Sequence, residues 1–162
     1  MSTDGLVEKT ASPQQLDALE LALALGATRA FRADDPDIVA QLRAAIPGGV
    51  DVAIEAASAV PALELAWQLT RRGGTTVTCS LPNPGHRLQL PVVQMTAEER
   101  TLKGSYLGSA VPTRDIPRYI ELYKAGRLPV DRLITHRLSL DEINAGFDRL
   151  AAGDAVRQVI LF

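Results

Sequence analysis

Apolar and polar positions alternate along the chain in blocks whose spacing distinguishes helices from strands. Residues 16–25 place leucine and alanine at helical spacing and end before Gly26, which predicts an amphipathic helix. Residues 50–57 form a short run rich in small and β-branched side chains, which predicts a strand covered on both faces, as in a parallel sheet. Because Ser58 can cap a helix and Pro61 suits the first turn of one, a helix is predicted to follow this strand directly. The rest of the chain is organised around this strand, turn and helix, which form half of a βαβ unit.

The same patterns recur over most of the remaining chain. Further strands are predicted at residues 27–31, 75–81, 102–108, 133–138 and 156–162, with a short extended piece at 87–93. Further helices are predicted from about 34–36 to 45, at 61–72, at 113–125 and after the capping box formed by Ser139 and Glu142. Residues 1–15 are polar and are predicted to be irregular. Because helices and strands alternate almost throughout, the predicted fold class is α/β.

Composition limits the classes of protein to which the chain can belong. Of its 162 residues, 46% are hydrophobic and 22% are charged, which is typical of a globular protein. A formal net charge of -2 and only 4% aromatic residues give no basis for binding nucleic acid or an anionic membrane. No apolar run is long enough to span a bilayer, and the first residues lack the pattern of a secretory signal. The single cysteine, Cys79, excludes an internal disulfide, so we expect a reducing, cytoplasmic environment.

The carboxyl end of the central strand is the first candidate for a binding site. Ligands collect at the carboxyl ends of parallel strands, so residues 56–58 are candidates for ligand contacts. The alternative is that these small residues only allow the strand and helix to pack tightly. Glu55 could pair with a neighbour at the same edge, whereas no partner in the sequence supports a role as general base. Cys79 lies in an apolar run, which favours a buried structural thiol over a nucleophile.

A set of short motifs occurs in a fixed order along the chain. They are Leu25-Gly26-Ala27-Thr28, Gly49-Val50-Asp51 with Glu55, Gly74 leading into Ser80-Leu81-Pro82, Leu102-Lys103-Gly104-Ser105, Ile134-Thr135-His136 with Leu138, Asp141-Glu142-Ile143-Asn144, and Arg157 before the last strand. In this order and at these spacings they resemble the C-terminal half of the zinc-dependent, medium-chain alcohol dehydrogenases, from about Leu16 to Phe162. The resemblance implies an α/β fold with an incomplete Rossmann-type parallel sheet, whose strands are like the third to sixth of the family's cofactor domain. It also implies that residues 1–107 are a partial dinucleotide-binding domain and that residues 108–162 are a C-terminal α/β segment of the catalytic domain.

Two parts of the family pattern have no counterpart in these 162 residues. One is the strand, glycine-rich turn and helix that open the family's cofactor domain, and the other is its zinc-binding N-terminal domain. One cysteine and two scattered histidines cannot supply a three-ligand catalytic zinc site or a four-cysteine structural one, so no metal site is expected. In the strand order 3-2-1-4-5-6 of this fold, the absent strands lie between the strands at 27–31 and 50–57. We therefore expect a bare apolar edge on the strand at 50–57. The resemblance also implies that the main body of the catalytic domain is absent, so the terminal strand at 156–162 is expected to lack the sheet that it would join.

The resemblance further implies which residues contact a cofactor. Ala56 and Ala57 are expected near the adenosine half of NAD(P), and Ser80, Leu81, Ser105 and Leu107 are expected on the nicotinamide side. Arg157 is expected to pair with the pyrophosphate, for which its forked cation is suited. The alternative for Arg157 is a solvated surface arginine, and for the other residues it is a small or apolar core side chain. No catalytic residue is expected, since His136 is interpreted as structural and His86 as solvent-exposed.

The expected function follows from this resemblance and from the parts without a counterpart. It is that of a truncated zinc-type NAD(P)-dependent alcohol dehydrogenase, inactive alone, with weak or absent affinity for NAD(P). One alternative is a subunit of a split dehydrogenase, in which an upstream chain supplies the zinc domain and the glycine-rich turn. The other is a non-catalytic interaction module that uses the exposed sheet edge. The expected partner is accordingly a second copy of the chain or an upstream chain that supplies the missing strands.

Overall fold

The computed structural model of the chain describes residues 6–9 and 15–162. Its strands in this part are β1 (Leu6–Lys9), β2 (Arg29–Arg32), β3 (Val50–Glu55), β4 (Thr70–Thr78), β5 (Thr101–Gly104), β6 (His136–Leu138) and β7 (Gln158–Ile160). Its α-helices are α1 (Gln15–Ala24), α2 (Ile38–Ala45), α3 (Val60–Leu69), α4 (Val92–Ala97), α5 (Pro112–Lys124) and α6 (Ile143–Ala152). Short 3-10 helices cover Tyr106–Ser109, Val130–Leu133 and Leu140–Glu142. This alternation of helix and strand confirms the predicted α/β class.

The contacts divide the chain into two compact units, of which one is Pro36–Pro112. This unit contains a three-stranded parallel sheet in the order β3-β4-β5. Helix α3 packs against β3 and β4, and Trp67 near its end is only 1% exposed. Thr70 and Thr76 lie beside it in the core, where their hydroxyl oxygens are 2.7 Å apart. The core of this unit therefore lies between α3 and one face of the sheet.

The opposite face of this sheet is uncovered at β3. Val52 and Ile54 pair with Thr75 and Val77 of β4 and so share one face with them. The side chain of Val52 is 55% exposed and that of Ile54 is 69% exposed. Among the strands that the structure describes, β3 pairs with β4 alone. The prediction that this strand is covered on both faces is therefore wrong, since α3 covers one face and the other is open.

The second unit consists of Thr113–Phe162 and of the described residues up to Asp35. Here β1 and β2 pair in parallel with α1 against them, and β6 and β7 form another parallel pair. The predicted capping box is confirmed, because the Glu142 carboxylate accepts bonds from the backbone N–H and the hydroxyl of Ser139. Gly146 of α6 lies against Leu138 of β6, so close that a Cβ on Gly146 would come within 2.6 Å of that side chain.

Several sequence predictions in this unit are corrected by the strand pairings. Residues 6–9 form β1 rather than an irregular segment, since four residues are too few for their alternation to stand out. The remainder of 1–15 lies outside the described residues, apart from the start of α1 at Gln15. The terminal strand does have a partner, because Gln158–Ile160 pairs with His136–Leu138.

Other boundaries differ in the unit Pro36–Pro112. Helix α3 ends at Leu69 rather than at Arg72, because β4 begins at Thr70. Arg71 in β4 forms an ion pair of 2.6 Å with Asp51. Ala59 and not Ser58 occupies the N-cap position of α3, without a capping side-chain hydrogen bond, although Pro61 lies in the first turn as predicted. Residues 87–93, predicted to be extended, run into helix α4.

Candidate functional site

The carboxyl ends of β3, β4 and β5 lie side by side at one edge of the sheet. The backbone N–H of Cys79, just beyond β4, donates to the carbonyl oxygen of Glu55 at 3.0 Å. The backbone N–H of Ser105, just beyond β5, donates to the carbonyl oxygen of Thr78 at 2.9 Å. The parallel pairing thus continues one residue past the strands, and three loops leave the sheet from neighbouring positions. This carboxyl edge, which consists of residues 55–58, 78–81 and 105–107, is the candidate site.

Glu55 is the central polar group of the carboxyl edge. Its side chain is 4% exposed, and its Oε1 accepts bonds from the N–H groups of Ala57 at 2.6 Å and Ser58 at 2.8 Å. Its Oε2 accepts bonds from the hydroxyls of Thr78 and Ser80, each at 2.7 Å. Register explains the arrangement, because Glu55 pairs directly with Thr78 across β3 and β4. One carboxylate therefore binds two loops that are more than 20 residues apart in the chain.

Two opposing effects act on the pKa of Glu55. Burial alone would raise the pKa, because it disfavours the charged form. The four hydrogen bonds, of which those from Thr78 and Ser80 lower the pKa most, together outweigh burial and hold the pKa of Glu55 below its ordinary value. The carboxylate is therefore ionised at neutral pH with both oxygens occupied. Such a group organises its neighbours rather than accepting a proton from a substrate.

Ala56 and Ala57, predicted to contact adenosine, follow β3 directly. Both are exposed at the carboxyl edge, and the N–H of Ala57 is held by Glu55. Ser80 is half-buried and bonded to the same carboxylate, while Leu81 beside it is 75% exposed. An apolar side chain exposed to this degree at a strand end is available for a ligand.

Ser105 and Leu107 follow β5. The hydroxyl of Ser105 lies 3.2 Å from that of Ser109, and Leu107 is 66% exposed with a positive φ of 49°. Both residues lie at the carboxyl edge with the alanines and with Ser80 and Leu81, as the sequence order predicts. Their role toward a cofactor stays a prediction.

Arg157 belongs to the other unit. It precedes β7, and its backbone carbonyl accepts bonds from the N–H groups of Thr135 at 2.9 Å and His136 at 3.3 Å. These bonds fix its backbone, whereas its side chain is exposed. His136, interpreted as structural, has its Nδ1 3.0 Å from the hydroxyl of Thr135.

A shallow cleft of about 370 Å³ opens next to the carboxyl edge, at the start of α3. It is lined by Ser58, Ala59, Val60, Pro61, His86 and Arg87. Sequence reasoning missed this combination, because His86 and Arg87 lie more than 20 residues along the chain from Pro61 at the start of α3. It also missed the partners of Glu55, for which the only signal was an acidic residue at the end of an apolar strand.

The described residues contain neither a cluster of metal ligands nor a membrane-spanning helix. In that part of the chain, no three His, Cys, Asp or Glu side chains come together in a group that could hold a metal ion. None of its helices combines the length and apolar character required to cross a membrane.

Comparison with known proteins identifies the family. The family described as "Zinc-binding dehydrogenase" matches residues 10–125, which is more than half of the chain. The chain belongs to the zinc-binding dehydrogenase family. The resemblance stated from the sequence motifs is thereby confirmed, and the carboxyl edge lies within the matched residues.

Curated members of the zinc-binding dehydrogenase family are similar over most of this chain. The NDMA-dependent alcohol dehydrogenase of Amycolatopsis methanolica is 37% identical over 145 residues, which cover 88% of this chain and 39% of that protein. The geraniol dehydrogenase of Castellaniella defragrans is 34% identical over 146 residues, covering 88% of this chain and 38% of that protein. The chain thus spans less than two fifths of the length of these relatives.

A solved structure of the same family has the same fold. The alcohol dehydrogenase zinc-binding domain protein of Burkholderia ambifaria superimposes with a TM-score of 0.88 at 27% identity, over 98% of this chain and 41% of that one. This agreement confirms the incomplete Rossmann-type fold. The boundary predicted near residue 108 stays a prediction.

Proposed function

We propose that this chain is the cofactor-binding portion of a zinc-type NAD(P)-dependent alcohol dehydrogenase. The observation that carries the proposal is the family match over residues 10–125, which includes an ordered carboxyl edge with three adjoining loops. Ligands of open α/β sheets bind outside the carboxyl ends of the strands. The names of the relatives, a geraniol dehydrogenase and an alcohol dehydrogenase, are consistent with a nicotinamide cofactor at this edge.

The chemistry of the carboxyl edge fits the two ends of a dinucleotide. Ala56 and Ala57 leave room for adenosine, because their side chains are small and exposed. The nicotinamide end would lie against the loops after β4 and β5, where Ser80, Leu81, Ser105 and Leu107 offer hydroxyls and exposed apolar surface. Arg157 is the proposed cation for the pyrophosphate. When bound, nicotinamide supplies the position that accepts or donates hydride.

Turnover requires more than these residues. Zinc in such enzymes polarises the alcohol oxygen and lowers its pKa, and a catalytic zinc site takes three protein ligands. Cys79, His86 and His136 do not come together as ligands among the described residues, so we propose that the chain alone holds no catalytic zinc and does not oxidise alcohols. Likewise, phosphate binding in this fold comes largely from a glycine-rich turn and the helix N-terminus that follows it. We therefore propose that the chain binds NAD(P) only weakly.

Two measurements test this proposal. The first follows NADH formation from primary alcohols by the purified chain with added zinc, and no turnover is expected. Turnover above that of chelator-treated blanks would contradict the proposed inactivity. The second is a calorimetric titration with NAD and NADP, for which a dissociation constant in the millimolar range is expected. Micromolar binding would show that the carboxyl edge is sufficient without the glycine-rich turn.

A subunit of a split dehydrogenase is the second candidate. The uncovered face of β3, where Val52 and Ile54 are more than half exposed, favours it over an isolated chain. In that case a companion chain would add strands beside β3 and supply the zinc ligands. Sequencing the DNA upstream of Met1 separates the candidates, since a separate adjacent gene for the companion supports the split enzyme. An in-frame glycine-rich turn there would support a single longer polypeptide.

A further inference from the structure

Each oxygen of the Glu55 carboxylate accepts hydrogen bonds from a different segment at the carboxyl edge. Oε1 holds the loop after β3 through the N–H groups of Ala57 and Ser58, at 2.6 and 2.8 Å. Oε2 holds the end of β4 and the loop after it through the hydroxyls of Thr78 and Ser80. The first loop carries the proposed adenosine contacts, and the second carries proposed nicotinamide contacts.

We propose that Glu55 is a positioning residue for the cofactor, which sets the spacing between the loop after β3 and the loop after β4. The role rests on the proposed function, because it presupposes a dinucleotide at the carboxyl edge. Glu55 itself does not contact the ligand in this role. It acts through Ala57 and Ser80.

The geometry of a carboxylate explains why one residue can do this. Its two oxygens are fixed relative to each other, so donors bound to different oxygens are also fixed relative to each other. The two halves of a dinucleotide are linked covalently, so both bind well only when the two loops are correctly spaced. Binding sites need their contacts held within about 0.5 Å of the productive geometry, and side chains locked by supporting hydrogen bonds provide this.

The burial of Glu55 strengthens its hydrogen bonds to the loop after β3 and to the loop after β4. At 4% exposure, water does not compete for its oxygens, and hydrogen bonds to a charged acceptor are stronger than those between neutral groups. Removal of the carboxylate leaves all four donors without this acceptor. The loops would then find separate partners and lose their fixed spacing.

The test compares Glu55→Ala and Glu55→Gln with the wild-type 162-residue chain. Asp51→Asn is the matched control, because Asp51 lies in the same strand at its other end, with its side chain 80% exposed. Glu55→Gln is included in case Glu55→Ala does not fold, since the amide oxygen of glutamine can still accept bonds from Ala57 and Ser58. Ser80→Ala removes a single donor on the β4 side.

The first readout is amide hydrogen exchange without ligand. In Glu55→Ala we expect exchange at Ala57 and Ser58 to accelerate about tenfold or more, with Ala53 and Thr76 unchanged. In Ser80→Ala we expect a smaller acceleration at Ala57, across the carboxylate, and in Asp51→Asn none at either loop. Acceleration spread evenly over the sheet in the glutamate variants, or no effect of Ser80→Ala at Ala57, would overturn the positioning role.

The second readout is the shift of amide NMR signals on addition of millimolar NADH or ADP-ribose. The wild type should respond to NADH in both loops, and NADH should bind more tightly than ADP-ribose. In Glu55→Ala the response at Ala57 should persist, the response at Ser80 should disappear, and NADH should bind no more tightly than ADP-ribose. An unchanged preference for NADH would overturn the proposal. A wild type that responds to neither ligand would instead refute the proposed function and the cofactor role with it, while the exchange data would still report whether the loops are coupled.

Discussion

Gly48 and Gly49 have nearly the same positive φ angle but different surroundings. Their φ angles are 91° and 93°, in the left-handed region that glycine tolerates best. A Cβ on Gly48 would meet no atom within 4 Å, whereas a Cβ on Gly49 would lie 2.5 Å from the carbonyl oxygen of Leu69. The turn that leads into β3 therefore needs glycine at the first position for conformation, and at the second for both conformation and space.

This difference predicts unequal costs for two alanine substitutions. Gly48→Ala should lower the free energy of unfolding by about 1 kcal/mol, because only the positive φ is penalised. Gly49→Ala should cost roughly 2 kcal/mol more, since the methyl group meets backbone that cannot turn away. Urea denaturation of the two variants beside the wild type measures this difference. Equal destabilisation would contradict the close approach between Gly49 and Leu69.

Glu55 gives the stability a dependence on pH. Because the hydrogen bonds hold its folded pKa below the ordinary value of 4.5, the ionised form stabilises the folded chain above that value. This contribution is lost as the pH falls from 4.5 through the lower folded pKa. We expect the free energy of unfolding to fall more steeply between about pH 5 and about pH 3 in the wild type than in Glu55→Gln. Denaturation curves at steps across that range provide the measurement, and equal slopes for both proteins would contradict an ionised, hydrogen-bonded Glu55.

At the scale of elements, α3, α4 and the segment between α4 and β5 are joined by a cluster around Trp67. The indole N–H donates to the side-chain oxygen of Gln94 at 2.8 Å, and the guanidinium of Arg100 lies 5.5 Å from the ring centroid. Arg100 also donates to the backbone carbonyl of Trp67 and pairs with Glu98, each at 2.6 Å. The side chains of Arg100 and Glu98 are only 12% and 19% exposed, so little water is available to replace these contacts.

Removal of the Arg100 side chain should therefore be costly. Arg100→Ala strands the partly buried Glu98 and the carbonyl of Trp67, and we expect a loss of about 3 kcal/mol in the free energy of unfolding. Lys124→Ala is the matched control, because its ion pair with Glu121 joins side chains that are 64% and 72% exposed. That change should cost less than about 0.5 kcal/mol. Thermal melts of both variants are the measurement, and similar losses would mean that the cluster does not join the elements.

The elements that the sequence predicted correctly are those whose causes are local. The capping box at Ser139 and Glu142 and the helix stop at Gly153 depend on residues within one turn. Helix α4 was missed because Val92 and Val93 are β-branched, while tertiary contact between Gln94 and Trp67 holds the segment as a helix.

The candidate site, too, was predictable only in part. The order of strands indicated a shared carboxyl edge. The role of Glu55 depends on its register against Thr78, which no local pattern encodes.

At the scale of the whole molecule, the chain leaves many large apolar side chains exposed. On α5 they recur at Ile116, Tyr119, Ile120 and Tyr123, each between 45% and 53% exposed and at helical spacing on one face. In the unit Pro36–Pro112, Val52 and Ile54 form an exposed apolar face on β3, which among the described strands pairs with β4 alone. Soluble monomers rarely expose contiguous apolar patches larger than a few hundred Å², and such patches mark interaction surfaces.

These surfaces lead us to expect that the purified chain self-associates through β3. Burial of roughly 300 Å² of apolar surface favours association by about 7 kcal/mol before entropy losses, and backbone pairing at the strand edge adds to this. Light scattering over a concentration series should show a mass above that of a 17.4 kDa monomer, rising with concentration. The double variant Val52→Lys with Ile54→Lys should shift the chain toward the monomer, because two charges on adjacent same-face positions oppose burial of that face. The matched control replaces Val92 and Val93, which are 74% and 69% exposed on α4, by lysine and should leave association unchanged.

A monodisperse wild-type monomer that melts cooperatively at high concentration would show that the open face of β3 is tolerated in water. Equal loss of association in both lysine variants would instead indicate nonspecific hydrophobic contact rather than pairing at β3.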